Sequence, residues 1–101
     1  MMEVSRESVF QNLKKHKAEL HKYHVKKIGL FGSVLRGNST ESSDIDLIVE
    51  FEEGEKTYEN FIELAFYLDE IFQKKVELLT IEGLSPFLRN KILKEAYFES
   101  I

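Results

Sequence analysis

Residues 30–49 read Leu-Phe-Gly-Ser-Val-Leu-Arg-Gly-Asn-Ser-Thr-Glu-Ser-Ser-Asp-Ile-Asp-Leu-Ile-Val. Val25 to Phe31 is an apolar stretch stopped by Gly32, which predicts a strand. Residues 37–43 hold only small and polar types and predict a loop. Ile45 to Phe51 alternates around strand formers and predicts a second strand. Asp44 and Asp46 are two apart at the entry of that strand, so both carboxylates leave one face while Ile45 and Leu47 turn to a core on the other.

Two carboxylates side by side repel, and one is driven toward its protonated form unless a cation holds both. Magnesium suits such a pair, because it is hard, prefers oxygen and completes its shell with phosphates. Eleven residues before Asp44, Gly32-Ser33 follows a strand directly, and Val34-Leu35-Arg36 has the composition of a helical turn. Glycine lets a backbone approach a ligand closely, and free N–H groups beside the Ser33 hydroxyl suit phosphate oxygens. Alone, each feature reads as a turn or a solvated strand entry; joined by one polar loop they read as a site. Glu77, inside the short apolar run Lys75 to Thr80, is the third acid. It either faces solvent from an edge strand or joins Asp44 and Asp46 to ligate metal or accept a proton.

Outward from this centre, apolar residues at helical spacing predict a helix from Ser5 to about Tyr23. Thr57 is a candidate N-cap for a helix to about Phe72. Lys75 to Thr80 predicts a third strand, and Ser85-Pro86 starts a helix expected to reach about Phe98. The order describes an α/β arrangement on a small sheet. In the middle helix, Phe61, Ala65, Leu68 and Phe72 form one stripe, and Tyr58, Ile62, Phe66 and Tyr67 widen it. So much apolar surface implies either deep burial or a strip exposed to a partner protein.

The 101 residues allow one domain, 1–101, and the net charge of −4 argues against direct nucleic-acid binding. That charge is uneven: residues 1–30 carry +4, residues 31–72 carry −9 and residues 73–101 carry +1. The absence of cysteine excludes disulfides and thiolate chemistry. No apolar run is long enough to span a bilayer, and Met1 to Lys15 lacks a signal core, so a cytoplasmic location is expected. His16, His21 and His24 do not share one helix face, which disfavours a zinc site.

The pattern Gly32-Ser33, Arg36-Gly37, polar loop, Ser43-Asp44-Ile45-Asp46-Leu47 resembles the minimal nucleotidyltransferase (MNT) family of the DNA polymerase β-type superfamily. Leu84-Ser85-Pro86 through Leu88-Arg89 to Glu95-Ala96 resembles the same family near its C-terminus. The resemblance implies a nucleotidyltransferase fold, a small mixed sheet with helices packed on one side. It implies ATP bound with Mg2+, with Gly32, Ser33, Arg36 and Ser43 on the nucleotide side and Asp44, Asp46 and Glu77 as catalytic and metal-binding acids. A hydroxyl would attack the α-phosphate in line, with metal ions at the attacking and leaving oxygens. The family also implies a role as antitoxin, adenylylating a tyrosine of a HEPN toxin. Many members carry Asp where this chain has Glu77. Two alternatives stay open: an antitoxin that acts by binding alone, and a small-molecule nucleotidyltransferase completed by a partner domain.

Overall fold

A computed structural model describes residues 4–38, 40 and 43–101; part of the loop expected at 37–43 lies outside the described residues. The elements are α1 (Arg6–Lys15), α2 (Lys17–Lys22), β1 (Val25–Phe31), α3 (Gly32–Arg36), β2 (Ile45–Phe51), α4 (Tyr58–Phe72), β3 (Val76–Thr80), α5 (Pro86–Glu95) and β4 (Tyr97–Ser100). The four strands form one mixed sheet in the order β3-β2-β1-β4. β1 runs antiparallel to β2 and β4, while β2 and β3 are parallel, with α4 as their crossover.

The expected helix from Ser5 to Tyr23 exists as two. Ser5 and Ser8 form a reciprocal capping box that starts α1. The chain breaks at His16, whose ring Nδ1 lies 2.9 Å from the Asn12 carbonyl. The break swings α2 so that Leu20 joins Val9, Phe10 and Leu13 in the core. In β1 the pairing slips between Val25 and Lys27, which brings Val25 to the same face as Ile28 and Leu30.

That face, with Ile45, Leu47, Val49 and Phe51 of β2, is covered by α1, α2 and α4. α5 buries no side chain. In α4 the fully buried residues are Leu64 and Leu68. Phe61, Ala65, Tyr67 and Phe72 are only partly buried against the core, and Tyr58 and Phe66 are exposed. The predicted stripe was therefore rotated: the helix seats on its aliphatic leucines, and its larger aromatics lie to the sides or outward.

The last helix ends at Glu95, short of the expected Phe98, because Ala96 adopts extended backbone (φ −69°, ψ 143°) and the chain becomes β4. Four residues are too few for a period-2 pattern to show against the helix before them. β4 has a packing role on the second face of the sheet, where Ile48 is fully buried. A Cβ on Gly29 would stand 2.6 Å from the Phe98 ring and 2.9 Å from Ile48. Gly29→Ala is expected to destabilise the protein by about 1–3 kcal/mol through overpacking. Urea denaturation measures this; an unchanged midpoint would show that Phe98 moves aside freely.

Candidate active site

The acids are placed by strand register. Asp44 immediately precedes β2 and Asp46 is its second residue, on the face away from the helical core. Glu77 is the second residue of β3 and pairs directly with Asp46, so the two side chains leave the sheet side by side. Glu77 is exposed on an edge strand and also stands beside Asp46. The start of β3 is held by two contacts that carry no sequence pattern. The Val76 N–H donates to Asp69 Oδ1 at 2.8 Å, and the Ile45 N–H donates to the Lys75 carbonyl at 3.1 Å.

On the other side of Asp46 lies Phe31, its partner in β1, and then Gly32. Gly32 has φ +76°, a conformation L side chains rarely adopt, and a Cβ there would stand 2.9 Å from the Asp46 carboxyl carbon. The absent side chain is thus the room in which the Asp46 carboxylate sits. Gly32 opens α3, which carries Ser33 and Arg36 and ends at the left-handed Gly37. The Ser43 hydroxyl accepts from the Thr40 N–H at 2.9 Å. Its role in the structure is to shape the loop entering Asp44, and Lys74 Nζ reaches the Thr40 carbonyl of that loop at 3.5 Å.

Burial raises the pKa of Asp46 above the ordinary carboxylate value, and the charges of Glu77 and Asp44 raise it further, while Arg36 acts in the opposite direction. This donor set fits a hard cation: hard oxygen ligands repel one another, and one arginine does not balance them. Among the described residues, no group of three or more His, Asp or Glu side chains is gathered that could hold a metal ion unaided. Magnesium usually takes one or two carboxylates and completes its shell with substrate phosphates and water. Asp44 and Asp46 are the pair that fits this requirement.

A cleft of about 1080 Å³ lies elsewhere, between the start of α1, α3 and the end of α4, and is lined by Val9, Val34, Ile45 and Phe72 among others. None of the three acids lines it. The histidines also stand apart: His16 packs edge-on against Tyr67, and His24 faces Glu55 at 3.6 Å.

The sequence model of the nucleotidyltransferase domain matches residues 12–98. The chain belongs to the nucleotidyltransferase domain family. It is 34% identical to the protein adenylyltransferase MntA of Thermococcus cleftensis, over 97% of this chain and 99% of that protein. It is 42% identical to a Methanocaldococcus jannaschii protein provisionally named a protein adenylyltransferase, over 85% of this chain and 89% of that one. A solved structure provisionally described as a minimal nucleotidyltransferase superposes with a TM-score of 0.79 at 30% identity, covering 96% of this chain and 98% of that one. The fold is also that of a chain from the complex of a tri-AMPylated Shewanella oneidensis HEPN toxin with an MNT antitoxin. There the TM-score is 0.61 at 22% identity, over 87% of this chain and 68% of that chain. The enzyme class is therefore nucleotidyltransferase, on the mixed sheet expected from the sequence.

Proposed function

We propose that residues 1–101 work as one cytoplasmic domain that transfers AMP from ATP to a hydroxyl of a protein partner, a tyrosine of a HEPN-type toxin, and so acts as its antitoxin. The observation that carries this reading is the strand register setting Asp46 beside Glu77, with Gly32 closing over the Asp46 carboxylate. The relatives named protein adenylyltransferase support the choice of reaction.

In this reading Gly32 and Ser33 bind the terminal phosphates, Arg36 and Ser43 steady the nucleotide side, and Asp44 and Asp46 hold Mg2+. Bound there, magnesium would supply charge neutralisation for the phosphates and the developing oxyanions. The acceptor hydroxyl oxygen forms a bond to the α-phosphorus, and the bond from that phosphorus to the bridging oxygen of pyrophosphate breaks. The hydroxyl proton passes to the Glu77 carboxylate, whose exposed position leaves it open to an incoming acceptor. AMP remains on the partner and pyrophosphate leaves.

Incubation with α-phosphate-labelled ATP, magnesium and a HEPN protein from the same genome tests the reading. Label is expected on the HEPN protein at a tyrosine. No label on it, with Asp44 and Asp46 intact, would falsify the proposal. The exposed aromatics of α4 favour a second mode, restraint of the partner by contact alone. A chain carrying Asp44→Asn and Asp46→Asn separates the two: contact alone predicts that it still neutralises the toxin, and transfer predicts that it binds without neutralising.

A further inference from the structure

Helix α4 has an outer face that the fold does not use. Successive residues of a helix turn by about 100°, so Phe66 points opposite to Leu64 and Leu68, its neighbours at two positions on either side. Those leucines are fully buried, and Phe66 is 70% exposed. Tyr58, 82% exposed, continues the apolar shoulder toward the N-terminal end through the half-buried Ile62. The other shoulder is Glu59, Glu63 and Glu70, all exposed. The helix holds four acidic residues and no basic one. Among the described residues none of these three glutamates forms an ion pair. Glu70 also lies in the last turn, where the helix dipole disfavours negative charge. A solvated helix normally carries mixed charge and no large aromatic at its outer pole. This one is organised as an apolar ridge with an acidic border.

We propose that this face, centred on Phe66, is the docking surface for a basic amphipathic helix of the protein acceptor. The charge decides the occupant. The apolar residues of such a helix cover Phe66, Ile62 and Tyr58, and its Lys and Arg side chains meet Glu59, Glu63 and Glu70. Burial of aromatic anchors supplies affinity, and the acidic border sets orientation and selects against acidic partners. The C-terminal end of α4 leads through residues 73–75 into β3, whose second residue is Glu77. A partner lying along α4 therefore covers the helical side of the domain, and Asp46 and Glu77 stand on the opposite face of the sheet, beyond the C-terminal end of that helix. The inference rests on the reading of a protein acceptor, and its test is independent of transfer.

The probe is a fluorescent amphipathic helical peptide built from Lys and Leu, with a Glu/Leu peptide as control, titrated with the whole chain. The Lys/Leu peptide is expected to bind and the Glu/Leu peptide to remain free. Phe66→Ser, and separately the combined Glu59→Lys, Glu63→Lys and Glu70→Lys, should each weaken binding at least tenfold. Circular dichroism and ATP binding should stay as in the wild type, since none of these residues touches the nucleotide site. Glu52→Lys with Glu53→Lys, on the charged turn before α4, should leave peptide affinity unchanged. The proposal is overturned if both α4 variants bind as wild type, if the turn variant weakens binding equally, or if the wild type fails to bind the Lys/Leu peptide. It is also overturned if light scattering shows a wild-type dimer that Phe66→Ser disperses, because the face then holds a second copy. If peptide binding follows α4 and no AMP is transferred to any HEPN protein, the docking surface stands and the enzymatic reading falls.

Discussion

Asp46→Asn is expected to lower AMP transfer by about a thousandfold, equivalent to about 4 kcal/mol of transition-state stabilisation, and to make the metal-free protein more stable at neutral pH. The first effect follows from the proposed role: an amide cannot replace the charge that holds the cation and its phosphates. The second follows from the environment of the carboxylate. Its pKa is raised in the folded chain by burial and by the charges of Glu77 and Asp44. The folded state therefore holds the Asp46 proton more tightly than the unfolded chain does. The associated stability is present in acid and lost as pH rises through the folded pKa. At neutral pH the wild type carries a partly buried, repelled charge that asparagine removes. Thermal melts with EDTA should show a higher midpoint for Asp46→Asn at pH 7, with the gap closing toward pH 4. A lower midpoint at pH 7 would mean that Asp46 stabilises the fold, against its observed surroundings. Stability given up at a functional site is a common cost of activity.

Gly32→Ala should disable nucleotide binding and cost stability together. The residue sits at φ +76°, where a side chain adds about 1–2 kcal/mol of backbone strain. Its Cβ would also enter the space of the Asp46 carboxyl group. Nucleotide affinity, measured by titration calorimetry with ATP and magnesium, should fall at least tenfold as Asp46 is displaced. Gly37→Ala is the control. Gly37 has φ +78°, but a Cβ there meets nothing within 4 Å. It should lose similar stability by urea denaturation and keep its affinity for ATP. If the two variants bind ATP equally well, the contact with Asp46 has no part in the site.

The two cases show which parts of the site could be read in the sequence. Asp44 and Asp46 were legible because strand alternation is local: two residues apart on a strand means one face, whatever the sheet does. Gly32-Ser33 was legible because a glycine directly after an apolar stretch marks a turn. Glu77 was legible only as an anomaly, an acid in an apolar strand. Its place beside Asp46 depends on which strand β3 joins, in which direction and in which register, and those are set by the α4 crossover, by Asp69 holding the Val76 N–H and by Lys75 accepting from Ile45. The same distinction runs through the helices. The period of α4 was visible, yet which of its apolar residues face inward was decided by the sheet it packs on, so Leu64 and Leu68 took the core and Phe66 was left outside.

By itself, then, the sequence determined the strand that carries the two aspartates, the turn that approaches them, and the family to which both belong. These follow from short-range rules: alternation, capping, and the backbone freedom of glycine. The tertiary structure alone decided that β4 closes the sheet against Gly29, that Glu77 stands next to Asp46, and that one face of α4 remains acidic and aromatic in solvent. Each of these rests on contacts between segments far apart in the chain, where packing chooses among arrangements that local preference leaves equal.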